Sequence, residues 1–377
     1  MGKLFFLRKW NDNGAEGTWS GTPYGILSAL KEDLGGGAVD VVDMNYNTLE
    51  KVIIKGIHGI LKVISVDGCD VPERYIEGCI ANRYLRNSEN KPVIVFAECE
   101  TSKTKDTYLF IDCSVDYAYR CHLNKVEFAK YVPFGKQRNH SLLAERNRHA
   151  IEFYRECRGI FTMGQWLADD LSDCTGIPSN KIHCVGGGTN IPVSLIDASK
   201  KTGNKFLFVG KDFERKNGKL VVDAFQILND RHDGQYELYI AGPKEWPLEK
   251  AIPEGIHFLG LKNTNELAEY YNLCDVFVMP SRFEAYGLVF AEALIYGLPI
   301  IGRDAFSMRD FVNCGENGYL LRSNSSEELA ALMESAILND ELRKHVISNR
   351  ERYIEQYSWQ SVVKRMLDTM RQDGYDI

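Results

Sequence analysis

A chain of 377 residues is longer than one typical domain, so two domains are the natural expectation. Hydrophobic residues make up 44% and charged residues 26%, ordinary for a soluble globular protein, and the formal net charge of −7 argues against nucleic acid as a partner. No apolar run approaches the roughly 20 residues that span a bilayer, the apolar patch at 4–7 is too short for a signal segment, and ten cysteines without a Cys-x-x-Cys pair read as reduced, packed thiols.

In chain order, 4–7 reads as a strand, 11–25 as a polar loop with Gly14, Gly17, Gly21 and Gly25, and a helical pattern begins at Ile26. Strand, Gly-rich loop, helix is the plan of a loop that approaches phosphate, although the spacing matches neither the dinucleotide fingerprint nor the P-loop. Further strands are expected at 39–42, 61–65, 93–97 and 108–111. Glu98 and Asp112 follow two of them, and open α/β sheets bind ligands at the carboxyl ends of strands. An Asp there is also a common turn or N-cap residue. Residues 120–158 turn basic, with Phe128, Tyr131, Phe134, Phe153 and Tyr154 interleaved. That pattern suits either peripheral contact with anionic lipid or a solvated helical face with its aromatics turned inward. A strand at 159–162, a helix at 165–174 and a strand at 181–185 follow. The polar stretch 192–204 reads as a linker.

The second half alternates again: strand 206–209, helix 220–228, strands 237–241 and 256–259, helix 265–273, strand 276–279, helix 288–296, strand 299–301. Such alternation implies parallel strands joined by crossovers. Lys211, Arg215 and Lys216 lie past one strand and before a helix, where cations suit a diphosphate leaving group. Glu284 and Glu292 flank the start of another helix. The turn Ala285-Tyr286-Gly287 between them leaves backbone N–H groups, that of Leu288 included, at a helix N-terminus able to bind phosphate. Helices begin near Ser326 and Glu341, and 359–371 carries Val362, Val363, Met366, Leu367 and Met370 at helical spacing.

Glu284 and Glu292, set between Pro280-Ser281 and Gly297-Leu298-Pro299, resemble the nucleotide-sugar site of retaining glycosyltransferases of family 4, the group 1-type enzymes of GT-B fold. Three further stretches are similar to that family: the 18–24 loop, the 210–218 cation loop and Gly315 to Leu321. Tyr357-Ser358-Trp359 matches the usual lead-in to its last helix. Met163-Gly164 replaces a customary serine, and Asp310 stands where a Glu is usual.

The resemblance implies an α/β fold of two Rossmann-like domains facing a deep interdomain cleft. Residues 1–195 would bind acceptor, 196–356 the nucleotide sugar, and 357–377 would cross back to the first domain. It implies donor contacts from Gly21, Lys211, Arg215, Lys216, Glu284, Ala285, Tyr286, Gly287, Leu288 and Glu292, and acceptor contacts from Trp19, Tyr24 and Asp112. Glu284, Lys216 and Asp112 are the catalytic candidates. Lys216 is one phosphate cation, and either Lys211 or Arg215 is the other. Glu284 would reach the donor sugar and Glu292 the ribose hydroxyls.

The expected activity is retaining transfer from a UDP- or GDP-sugar to a glycan, lipid-linked or small-molecule acceptor. No cofactor and no metal are expected, since no Asp-x-Asp occurs anywhere in the chain. The expected location is cytoplasmic, with peripheral contact at the inner membrane face through 120–158. An inactive GT-B homologue that binds carbohydrate or a partner protein is the alternative, although such chains typically lose Glu284 or the cations. An epimerase on the same fold should lack the paired-Glu context, and a dehydrogenase is disfavoured by the absent Gly-x-Gly-x-x-Gly.

Overall fold

The computed structural model describes residues 3–11, 14–63, 71–85, 91–96, 104–133, 140–197, 199 and 201–377. The chain divides into two units, Met1–Gly188 with Trp359–Ile377, and Thr189–Ser358. The expected divisions at 195 and 356 therefore lie slightly off. Gly188 stays with the first unit because Trp359, at the start of the last helix (Trp359–Gln372), packs against it so closely that a Cβ there would lie 2.4 Å from the indole.

In the first unit six strands form one parallel sheet: β1 (Leu4–Arg8), β2 (Val39–Asp43), β3 (Val93–Val95), β4 (Thr107–Ile111), β5 (Gly159–Thr162) and β6 (Ile182–Cys184). Their order is β2-β1-β3-β4-β5-β6, and β1, β3, β4 and β5 are buried almost throughout. Parallel strands covered by helices on both faces read as apolar runs for this reason. The second unit repeats the plan with β7 (Lys205–Val209), β8 (Glu237–Ala241), β9 (Ile256–Gly260), β10 (Val276–Val278), β11 (Ile300–Arg303) and β12 (Gly318–Leu321), ordered β12-β11-β10-β7-β8-β9 and again all parallel. Strand order reverses between β1 and β3 in one sheet and between β7 and β10 in the other. At such a switch point two neighbouring crossovers leave in opposite directions and open a crevice at the strands' carboxyl ends.

Several expectations need correction. Of the strand expected at 61–65, residues 61–63 are helical instead, and 64–65 lie outside the described residues. Residues 48–63 are one helix (Thr48–Val63), because the apolar positions from 49 to 60 recur at helical spacing; a five-residue window cannot separate that from a strand. The loop expected at 11–25 is shorter. A helical turn occupies Gly14–Gly17, a turn through left-handed Trp19 and Ser20 follows, and the next helix (Thr22–Leu34) starts with Pro23 in its first turn, where the missing N–H costs nothing. The linker is tethered, since Asn272 donates to the Leu195 carbonyl (2.6 Å) and accepts from the Asp197 amide (2.8 Å), while Tyr296 donates to Pro192 O (2.6 Å). A helix at Arg350–Gln356 was not expected. Residue 97, Glu98 and Phe134 lie outside the described residues.

Three cations of the basic stretch are paired within its own unit. Arg120 pairs with Asp116 (2.7 Å) and Asp170 (2.6 Å), Arg148 with Glu145 and Glu152 (2.8 Å each), and Arg158 with Asp373 (3.2 Å). Tyr154 is buried and Phe153 packs on the core. The eight described cysteines are all free. Among the described residues no helix is long and apolar enough to cross a membrane.

Candidate active site

In the second unit the loops that leave β7 and β10 meet at the switch point. After β7 the chain turns through Lys211 to Asn217 before the helix Gly218–Arg231, with Phe213 packed edge-on to Phe208 and Asn217 in left-handed backbone at φ 60°. This turn directs Lys216 inward. Gly210 makes room for it, since a Cβ there would stand 2.7 Å from Lys216 Cγ. Lys216 Nζ lies 2.5 Å from Glu284 Oε2. Arg215 Nη1 lies 3.4 Å from the same oxygen and donates to the Phe283 carbonyl at 2.9 Å, while the Arg282 amide donates back to Arg215 O at 2.8 Å.

Ser281 Oγ donates to Glu284 Oε2 at 3.2 Å, and Ser307 Oγ donates to the backbone carbonyls of Glu284 (3.1 Å) and Tyr286. Gly287, at φ 95°, is required twice over: an L side chain would be strained at that angle, and its Cβ would stand 2.9 Å from Glu284 Cγ. Burial alone would raise the Glu284 carboxyl, but Lys216 and Arg215 hold it below its usual range, so it is a carboxylate. Burial pushes the Lys216 ammonium down and Arg215 adds to this, with Glu284 opposing.

Glu292 sits on the eight-residue helix Leu288–Ile295, whose first turn has no side-chain cap. Its carboxylate is buried and accepts from the Tyr271 hydroxyl at 3.0 Å. Burial pushes its pKa up to about 7, with the Tyr271 hydrogen bond opposing.

The remaining expectations for this unit divide clearly. Arg215, not Lys211, reaches Glu284; Lys211 is exposed and makes no ion pair among the described residues. Ala285 and Leu288 are half-buried. Tyr286 is buried edge-on to Phe311 and Phe283 edge-on to Phe306, both at 5.0 Å, so the two rings are core. Sequence reasoning missed three supporting residues. Ser281 had a signal, standing three residues before Glu284 in the quoted context. Tyr271 and Ser307 come from other elements and had none.

In the first unit Trp19 Nε1 donates to Asp112 Oδ2 at 2.9 Å, just past the end of β4, and its ring lies edge-on to Phe96 (6.0 Å) and Phe110 (5.9 Å). Trp19, Ser20 and Gly21 take φ of 47°, 53° and 81° in succession. Thr18 closes the loop, accepting from the Asn11 amide (2.8 Å) and donating to Gly14 O (2.7 Å). Gly21 is buried at the start of the helix Thr22–Leu34, and Tyr24 is exposed on its first turn. The first unit's acceptor candidates Trp19 and Asp112 are thus in contact.

Known proteins resemble this chain in both sequence and fold. Residues 196–353 match the family model described as glycosyl transferases group 1. An uncharacterized glycosyltransferase of Methanocaldococcus jannaschii is 22% identical over 245 residues, covering 59% of this chain and 63% of that protein. The chain spans 45% to 63% of the length of the first curated relatives it matches. Sucrose-phosphate synthase of Thermosynechococcus elongatus has the same fold, with TM-score 0.63, 16% identity and 99% of each chain covered. Alr3699/HepE of Anabaena, solved with UDP-glucose, gives TM-score 0.59 at 12% identity, covering 98% of this chain and 99% of that one. The architecture is therefore the two-domain α/β GT-B fold. Residues 196–353 therefore resemble the group 1 glycosyl transferases.

Proposed function

We propose that this protein transfers a glycosyl group from a nucleoside diphosphate sugar to an acceptor hydroxyl, with retention at the anomeric carbon and without a metal ion. The observation that carries this reading is the cluster of buried Lys216 and Glu284 with half-buried Arg215 at the crevice between β7 and β10. In the reaction, the bond between the anomeric carbon and the diphosphate oxygen breaks and the electron pair leaves with the phosphate. Lys216 and Arg215 offset that growing charge, as do the N–H groups at the start of the helix Leu288–Ile295. The acceptor oxygen bonds to the same face of the sugar, and its proton passes to the departing phosphate. Glu284 stays ionised beside the donor sugar, binding its hydroxyls and favouring positive charge at the anomeric centre. Glu292 binds the ribose hydroxyls. Asp112, fixed by the Trp19 indole, serves the acceptor.

UDP-glucose, the ligand of the Anabaena neighbour, is the first donor to test. The experiment is release of nucleoside diphosphate from UDP- and GDP-sugars by the purified protein, with and without EDTA. Slow hydrolysis of one donor that persists in EDTA is expected. No binding or hydrolysis of any nucleotide sugar would overturn the reading, and activity restored only by Mn²⁺ or Mg²⁺ would overturn its metal-free part.

A further inference from the structure

We propose that Ser307, on the loop after β11, is a positioning residue for the transfer: its hydroxyl aims backbone N–H groups of the Glu284–Gly287 turn at the departing diphosphate. This rests on the glycosyl-transfer reading above and adds a residue from a third loop to the site. Ser307 is fully buried and stands at the N-terminus of the short helix Met308–Phe311. A serine there ordinarily caps its own helix. Here the hydroxyl makes no capping bond and turns to the neighbouring loop, where it donates to the carbonyls of Glu284 (3.1 Å) and Tyr286. A hydroxyl has one proton, so the two carbonyls share it. Phe306, the residue before it, takes left-handed backbone at φ 55°, an outlier for a bulky side chain, and its ring is held edge-on to Phe283. Strain of this kind persists where the surroundings over-determine it, and here it turns Ser307 inward.

What the hydroxyl controls follows from peptide geometry. A trans peptide points its N–H opposite to its C=O. Holding the carbonyls of Glu284 and Tyr286 at Ser307 therefore turns the N–H groups of Ala285 and Gly287 away from the β11 loop. The 281–282 peptide marks that direction. Its carbonyl accepts from Arg303 Nε on the β11 side at 3.0 Å, and its N–H donates to Arg215 O on the β7 side at 2.8 Å. The side away from β11 is thus the side of Arg215 and Lys216. Among the described residues the Gly287 N–H makes no hydrogen bond, so it is left for a ligand. Amides fixed in advance stabilise the charge that develops on the leaving oxygen without reorganising during the reaction. Without the Ser307 proton both buried carbonyls lose a donor, and their peptides can rotate toward others.

The test uses the full chain and the nucleotide sugar that wild type hydrolyses, UDP-glucose first. Ser307→Ala should lower kcat of donor hydrolysis about tenfold or more, while KM moves by less than about threefold. In the ligand-free protein, amide hydrogen exchange should speed about tenfold at 282–288 in this variant and stay unchanged in β7. A variant that is merely unfolded in part would bind nucleoside diphosphate at reduced stoichiometry and keep the wild-type kcat per binding site, and that result overturns the proposal. So does a kcat within about twofold of wild type, whatever happens to exchange; the transferase reading then stands. If Ser307→Ala does not fold, Ser307→Cys, of nearly the same shape with a weaker donor, should show a smaller loss of kcat in the same direction. A wild-type kcat in that variant overturns the proposal. Wild type that neither binds nor hydrolyses any nucleotide sugar overturns the transferase reading itself, and this inference with it.

Discussion

In the second unit the loops after β7 and β10 hold charge, whereas in the first unit the loop after β1 holds backbone strain. Lys216, Arg215 and Glu284 are packed so that each ion faces its opposite, with Gly210 and Gly287 giving up side chains to make room. Trp19 and Ser20 occupy left-handed backbone that costs about 1–2 kcal/mol per residue. One indole hydrogen bond to Asp112 and edge contacts with two phenylalanines hold them there. The difference is physical. Burying ions requires closed, mutually dependent surroundings, so the charged site has a single arrangement. A half-buried loop held by a few neutral hydrogen bonds, one indole contact with Asp112 and ring edges can adjust at smaller cost.

Four experiments would break or sharpen that contrast. The largest effect is expected at Glu284. Glu284→Gln should lower donor turnover about a hundredfold or more while leaving nucleoside diphosphate affinity nearly unchanged, measured by hydrolysis rate and calorimetry. Turnover like wild type would remove the carboxylate from the chemistry.

Lys216→Ala leaves the buried Glu284 carboxylate with Arg215 at 3.4 Å as its remaining ion partner. A loss of about 3–5 kcal/mol in denaturant unfolding is expected. Combined with Glu284→Gln, the loss should be smaller than the sum of the single variants. Simple additivity would mean that the two groups do not act as a pair.

Glu292 gives a pH signature. Its folded pKa is raised from 4.5 to about 7 by burial. As pH rises from 4.5 towards 7, the unfolded chain gives up this proton and the folded one does not, so stability falls. The penalty, about 3 kcal/mol, is complete above pH 7. Glu292→Gln avoids it, so the variant's stability relative to wild type should grow between pH 5 and pH 8; a difference independent of pH would contradict the burial argument.

The smallest effect belongs to the strained loop. Asp112→Asn keeps an acceptor for the Trp19 indole but removes its charge, so a loss of about 1 kcal/mol and a modest change in tryptophan fluorescence are expected. A loss as large as that of Lys216→Ala would mean that both units lock their sites in the same way.

The sequence by itself determined the strand–helix alternation, because parallel strands covered on both faces must be apolar runs and their crossovers must be long. It also marked Glu284, Glu292 and the cation loop, since these share short segments whose spacing is local. What it could not resolve depended on which groups meet across segments. That Arg215 and not Lys211 reaches Glu284 follows from the path of one turn, and Tyr271 reaches Glu292 from a different helix. Tyr286 and Phe283 turn into the core because Phe311 and Phe306 lie opposite them, although both rings stand within the motif. The helix Thr48–Val63 is the clearest case. Its apolar spacing could be read as a strand or a core helix, and only the packed structure shows that one face is anchored and the other meets solvent. Periodicity records which residues share a face. Burial depends on what the rest of the chain brings to that face, and this is decided only when the elements of each unit pack.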